Sequence, residues 1–303
     1  MIFCLTVDDV CYEGYSSEAH VANLLRFFRE VGVRSTFFTV PLAQGIPVAE
    51  RPRYIEILKQ AVSEGHEVAQ HGLEHDRFEC GIPPRMIMAM PHEGPARERL
   101  ARERDAIEAA LEVPPIRERL QRGRRILEDA LEMEIVGFRA PCLSICDNLF
   151  HALEEEGYLY DSSRHLQEAG WDILNGKRPV EPRPITREIY DSLQYPGKLR
   201  AFPLTTEYTW YLPRQNFELT LDLAKHDFMA CMAAGIPFVT LSHVSPIQEG
   251  EDDSGFEFYR RLLAFAREQA ADRGQELEAL TLAAASASDR EWRQRGKARG
   301  GVQ

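Results

Sequence analysis

Nowhere does this sequence approach the ~20 consecutive apolar residues needed for a bilayer-spanning helix, so no membrane span is expected. Basic charge is also scarce. Only 36 Lys and Arg stand against 48 Asp and Glu, a net charge of -12. Neutralising phosphates needs a basic surface, so no nucleic-acid partner is expected, and a neutral or cationic substrate fits better. The six cysteines (Cys4, Cys11, Cys80, Cys142, Cys146, Cys231) contain no C-x-x-C pair, and a 303-residue chain needs no disulfide staples. They are expected to be mostly reduced thiols. From Met1 the chain enters the apolar run IFCLTV without the basic segment, long apolar core or cleavage site of an export signal. A cytoplasmic location is the expectation. No internal repeat at a solenoid period is visible.

What is present is ordinary globular composition, with 44% hydrophobic and 28% charged residues. One large domain over residues 1–285 is expected, with an insertion at about 80–115. A polar tail, 286–303, ends in RQRGKARGGVQ.

Strand and helix signals alternate along the chain. Residues 2–7 read as a buried strand ending in Asp8 and Asp9. Ser16 or Ser17 starts a helix to residue 30, Gly32 stops it, and 34–40 read as a second strand. A helix over 54–64, stopped by Gly65, leads to a short strand, 66–70, before His71. Two helical segments, 96–112 and 116–132, are separated by Pro114 and Pro115. Strands over 134–138 and 158–160 flank a helix over 148–156. Residues 165–200 form a long Pro- and Gly-rich excursion, followed by a strand over 199–204. The C-terminal part reads as a helix at 219–234, a strand at 238–242 before His243, and a helix at 256–271. Such alternation predicts a parallel sheet or barrel.

Polar residues recur where the expected strands end: Asp8 and Asp9, His71 and His75, Arg139, Asp161 and His243. In α/β barrels those ends converge on one face. On a helical turn, histidines four apart would share a face and grip one ion, and an Asp, with Asp9 the obvious supplier, would complete an open site of the catalytic type. Taken singly, each feature has a plainer reading. An H-x-x-x-H pair is often surface decoration, an Asp-Asp pair a solvated turn, an Arg a surface ion-pair partner, and a His after a strand a core residue. Their joint appearance at strand ends is what the plainer readings explain poorly. Because adjacent side chains on an extended strand point oppositely, one of Asp8 and Asp9 could bind metal while the other acts as base. Trp210, within TEYTWY, is open to two readings, stacking on a sugar ring or packing in the core.

The set resembles the polysaccharide deacetylase family, the NodB-homology or carbohydrate esterase family four group, over most of the chain. Thr6-Val7-Asp8-Asp9 resembles its T-F-D-D motif, which implies Asp8 as base and Asp9 as metal ligand. His71-Gly72-Leu73-Glu74-His75 resembles H-(S/T)-x-x-H, implying two metal histidines. Arg139-Ala140-Pro141 resembles R-x-P, implying an arginine that orients the base and an oxyanion-binding N–H from Cys142. Asp161 in YDSS resembles the aspartate that tunes the acid histidine, although the usual D-W ending is absent. Leu241-Ser242-His243 resembles L-x-H, implying an apolar wall for the acyl methyl and a general acid. Val10 replaces a common glycine, Gly72 replaces Ser or Thr, and Cys142 sits where an aromatic is frequent.

The resemblance implies a distorted (β/α) barrel of seven or fewer parallel strands, with a helical insertion. It further implies one divalent ion, zinc before cobalt, nickel or iron, and N-deacetylation of an amino sugar or its polymer by ion-activated water. Two alternatives stand beside it: a deformylase or amidase for a small or lipid-linked amide, and a non-catalytic carbohydrate-binding barrel. Oligomeric state is not readable from sequence.

Overall fold

The structure is a computed structural model and describes residues 1–288. Most of the expected polar tail, from residue 289 on, lies outside the described residues. The chain opens with β1 (Ile2–Val10), buried from Phe3 onward. Burial on both faces explains its nearly continuous apolar run, the pattern of a parallel strand covered by helices. α1 (Glu18–Val31) follows, with the Ser17 hydroxyl accepting from the His20 N–H and Gly32 ending the helix at φ 66°. These are the start and stop signals that the sequence carries.

β2 (Ser35–Thr39), α2 (Pro52–Ser63) and β3 (Glu67–His71) continue the alternation. Two helices, α3 (Gly94–Ala110) and α4 (Val113–Leu131), precede β4 (Gly137–Arg139). Pro114 and Pro115 do not separate the helices as expected; they lie inside the first turn of α4. The missing N–H of proline costs nothing there, because first-turn donors have no helical partner. After α5 (Asp147–Glu155) come two very short strands, β5 (Tyr160–Asp161) and β6 (Arg200–Ala201). The excursion between them carries short helices at Ala169–Leu174 and Arg187–Ser192. α6 (Phe217–Ala234), β7 (Phe238–His243), α7 (Ser254–Ala271) and β8 (Glu278–Ala279) complete the succession.

Every pairing in the main sheet is parallel, in the order β7-β1-β2-β3-β4-β5-β6, with β8 added at the foot of β1. Seven strands thus curl into a distorted barrel. Closure is slight. Beyond β6 the Thr205 N–H donates to the Val239 carbonyl at 2.8 Å, and Glu207 bridges Leu241.

Strand parity divides the core. Phe3, Leu5, Val7, Phe37, Val68 and Phe238 pack outward against helices, whereas Cys4, Phe38, Ala69, Tyr160, Val239 and Leu241 fill the interior. At the floor, buried Glu67 accepts from the Tyr160 hydroxyl at 2.6 Å, the Thr36 hydroxyl at 2.8 Å and the Ala283 N–H at 3.0 Å. The segment after β8 thereby plugs the N-terminal end of the barrel. Catalytically useful residues are left the opposite end. All six cysteines are free, and among the described residues no helix is long and apolar enough to cross a membrane.

Gly137 lies under the Tyr160 ring, and a Cβ there would stand 2.0 Å from Tyr160 Cζ. Gly137→Ala is therefore expected to cost about 1–3 kcal/mol by overpacking. Urea unfolding should show a lower midpoint at unchanged slope, and an unshifted midpoint would contradict this packing.

Candidate active site

β1 does not end as a regular strand. Its register against β2 slips between Val7 and Val10, and Asp9 takes φ 64°. This bulge corrects the expectation that strand alternation splits the two carboxylates. Both instead face the same imidazole, with His71 Nε2 at 3.8 Å from Asp8 Oδ2 and 3.5 Å from Asp9 Oδ1. Bulges re-aim side chains in this way, and they gather beside functional sites.

The histidine pair needs a second correction. His71 is the last residue of β3, and the following residues form no helix. Gly72 at φ 60° and His75 at φ 63° turn the chain back, bringing the rings to a centroid separation of 5.0 Å. His75 Nε2 lies 2.9 Å from Asp9 Oδ1, and the Tyr12 ring stacks on His75 at 4.3 Å.

One ligand atom each from Asp9, His71 and His75 lie within 4.8 Å of one another, and all three residues are buried. The donor chemistry fits a divalent cation. His71 Nδ1 is 3.0 Å from the Arg139 carbonyl oxygen, which can only accept; Nδ1 therefore carries a proton and Nε2 is the nitrogen turned toward Asp9 and His75. Asp9 Oδ1 is buried with no hydrogen-bond donor aimed at it among the described residues. Burial works against ionising Asp9, but His75 and His71 outweigh it and hold the carboxyl well below the usual carboxylate range. Two nitrogens and a carboxylate oxygen form the open donor set of catalytic zinc-type sites.

Arg139 is fully buried, and each donor nitrogen has a partner. Nη1 donates to Asp8 Oδ1 at 2.6 Å and Thr6 Oγ1 at 2.8 Å, Nε to the Ser162 carbonyl at 2.8 Å, and Nη2 to Ser162 Oγ at 2.7 Å. The guanidinium also stacks over Phe38, 4.1 Å from the ring centre. Asp8 is thus aimed by a bonded cation rather than by solvent. After Arg139 the chain turns sharply, with Cys142 and Leu143 both at φ 52°. Cys142 lines the cavity, and burial pushes its thiol up to about 12, so no thiolate nucleophile stands there near neutral pH.

His243 ends β7. Its Nδ1 lies 2.8 Å from Glu207 Oε2. Burial opposes the charged ring, but Glu207, with Asp9 and Asp8 behind it, outweighs burial and raises His243 to about 9. The family resemblance gives the tuning role to Asp161, and here the geometry differs. Tyr160 points into the barrel, so Asp161, one residue on, points out of it. Its oxygens accept from the Ser163 hydroxyl at 2.5 Å and the Tyr195 hydroxyl at 2.8 Å. Ser163 Oγ in turn accepts the Ala140 N–H at 2.8 Å, so Asp161 braces the segment after Arg139.

Glu207 was not singled out in the sequence. Its signal is a lone carboxylate just past an expected strand, three residues before Trp210. Trp210 packs edge-on against His243 at 4.5 Å and also meets Tyr15 at 5.2 Å. Asp8, Asp9, His71, His75, Cys142, Glu207, Trp210, Leu241 and His243 all line one cavity of about 460 Å³. Arg139 and Asp161 stand behind it.

A family model described as polysaccharide deacetylase matches residues 2–160. No curated protein matches the sequence. Among solved structures, a candidate polysaccharide deacetylase from Mycobacterium smegmatis is similar at TM-score 0.58 and 17% identity, over 96% of this chain and 91% of that one. The peptidoglycan deacetylase PdaC from Bacillus subtilis is similar at TM-score 0.51 and 14% identity, over 100% and 97%. A CE4 family pseudoenzyme from Bacillus anthracis aligns at TM-score 0.48 and 12% identity, over 94% and 65%. At these identities the first two likenesses speak for the fold alone.

In the metal-free protein, Glu207→Gln should lower the titration midpoint of His243 from about 9, read from its ring protons by NMR. The folded value lies above the ordinary 6.5, so the pair's stabilisation is complete below pH 6.5 and lost as pH rises through about 9. An unmoved midpoint in the variant would rule Glu207 out as the source of the shift.

Proposed function

The chain belongs to the polysaccharide deacetylase family, hydrolases that act on carbon–nitrogen bonds, and from that premise we propose that it removes the acyl group from an N-acetylated amino sugar. In this reading Asp9, His71 and His75 hold one divalent ion, zinc before cobalt, nickel or iron. The observation that carries it is the convergence of two carboxylates, two ligating imidazoles and a carboxylate-paired third imidazole on one cavity.

A bound divalent ion supplies Lewis acidity to the water and the acyl carbonyl. Asp8, with Oδ1 fixed by Arg139, takes the proton of the attacking water on Oδ2. The Cys142 N–H helps to hold the oxyanion, and Leu241 forms an apolar wall for the acyl methyl. His243, kept protonated by Glu207, gives its proton to the departing amine nitrogen. In this reading Trp210, which packs against His243 in the same cavity, supplies an aromatic surface for the ring of the departing amino sugar. Asp161 acts at a distance, by bracing Ala140 through Ser163.

A second reading, hydrolysis of a small or lipid-linked amide, is favoured by the cavity's lining. Ile87, Met90, Trp171 and Leu174 give part of it an apolar surface. A screen of acetylated chito-oligosaccharides, acetylated sugar nucleotides and small formamides separates the readings. Acetate release from the sugars supports the first and formate release the second; release of neither favours a non-catalytic carbohydrate-binding barrel.

Asp8→Asn and His243→Ala are each expected to lower turnover by about 10²- to 10⁴-fold while metal stays bound. Near-normal turnover in either variant would overthrow the acid–base assignment. His75→Ala should lose stoichiometric metal in elemental analysis, and full occupancy would refute the ligand set.

A further inference from the structure

His71 and His75 are oriented by different means. The His71 ring is tied through Nδ1 to the Arg139 carbonyl. His75 Nδ1 has no hydrogen-bond partner among the described residues, and its ring meets only the stacked face of Tyr12 and its neighbours in the site. Its aim therefore depends on where the backbone places it. That backbone is a left-handed turn, and its N–H groups serve neither the ladder of β3 nor a helix.

Those N–H groups converge on a single side chain. Glu79 Oε1 accepts from the Leu73 N–H at 3.0 Å and the His75 N–H at 3.2 Å, while Oε2 accepts from the Glu74 N–H at 3.1 Å. Three successive N–H groups around one carboxylate make an anion nest, with the anion supplied from within the chain. Glu79 is itself buried, and its segment is pinned. A Cβ at Gly81 would stand 2.2 Å from the Ile145 carbonyl carbon, and Ile82 bridges Ile145. The carboxylate thus lashes the turn after β3 to the loop after β4. It also explains Gly72. A Cβ there would meet Glu79 Oε1 at 1.8 Å and Pro141 Cγ at 2.6 Å, so the space that a Ser or Thr would need is filled by the carboxylate and the proline.

We propose that Glu79 is a positioning residue that holds His75 in ligating geometry through the backbone N–H groups of residues 73–75. The inference rests on Asp9, His71 and His75 being the metal ligands. Removal of such supporting groups typically weakens metal binding about 10- to 100-fold.

The test compares the full-length chain with Glu79→Ala and Glu79→Gln. Three measurements are made: zinc affinity by chelator competition, amide hydrogen exchange at residues 73–75 in metal-free protein, and thermal unfolding by circular dichroism. Glu79→Ala should bind zinc about 10- to 100-fold more weakly and lose amide protection at 73–75 while still folded. Glu79→Gln, which keeps one acceptor oxygen in place, should fall between, and it carries the test if the alanine variant does not fold. A folded variant that melts lower but binds zinc as tightly as the parent would make Glu79 merely structural and overturn the proposal. If the parent chain binds no stoichiometric zinc, the ligand reading fails instead; unchanged exchange at 73–75 in the variants then removes the clamp as well.

Discussion

The buried guanidinium of Arg139 is the constraint on which the rest of the site depends. Removing a cation from water costs several kcal/mol, and only a full set of partners offsets that cost. Here the partners come from three places around the barrel: Thr6 and Asp8 on β1, Ser162 after β5, and the Phe38 ring on β2. One side chain therefore fixes the distance between β1 and β4 and aims the carboxylate between them. Its own carbonyl sets the tautomer of His71. Asp8 is the anion among these partners, so its loss would leave a buried charge uncompensated.

Around this pair the backbone is bent where side chains must converge. Asp9, His75, Cys142 and Leu143 all adopt positive φ, each at about 1–2 kcal/mol for an L-residue. The surrounding bonds hold those bends. Glu79 gathers the N–H groups at His75, Asp161 and Ser163 brace Ala140, and the β1 bulge is gripped between β2 and β7. Strain at these points is consistent with a cavity whose shape is set before any ligand arrives.

Electrostatics follow from the same placement. Three carboxylates, Asp8, Asp9 and Glu207, face three imidazoles across a buried space. Asp8 is paired to Arg139, Asp9 sits between two ring nitrogens, and Glu207 keeps His243 charged. Asp9 is thereby held toward its charged form and His243 toward its protonated form, the kind of environmental tuning on which acid and base roles are divided.

Much of this was readable locally. Ser17 and Gly32 mark the ends of α1, buried apolar runs mark β1 and β7, and Asp8, Asp9, His71, His75, Arg139 and His243 stand where strands finish. Caps, periodicity and donor identity depend on near neighbours in the chain, so the sequence by itself determined them. Tertiary structure decided how the residues meet. A bulge put Asp8 and Asp9 on one side, a left-handed turn clamped by Glu79 took the place of a helix between the histidines, and strand parity turned Asp161 outward. Glu207 reached His243 only because the chain after β6 closes against β7. Register, bulges and closure arise between segments far apart in sequence, where no local pattern of residues encodes them.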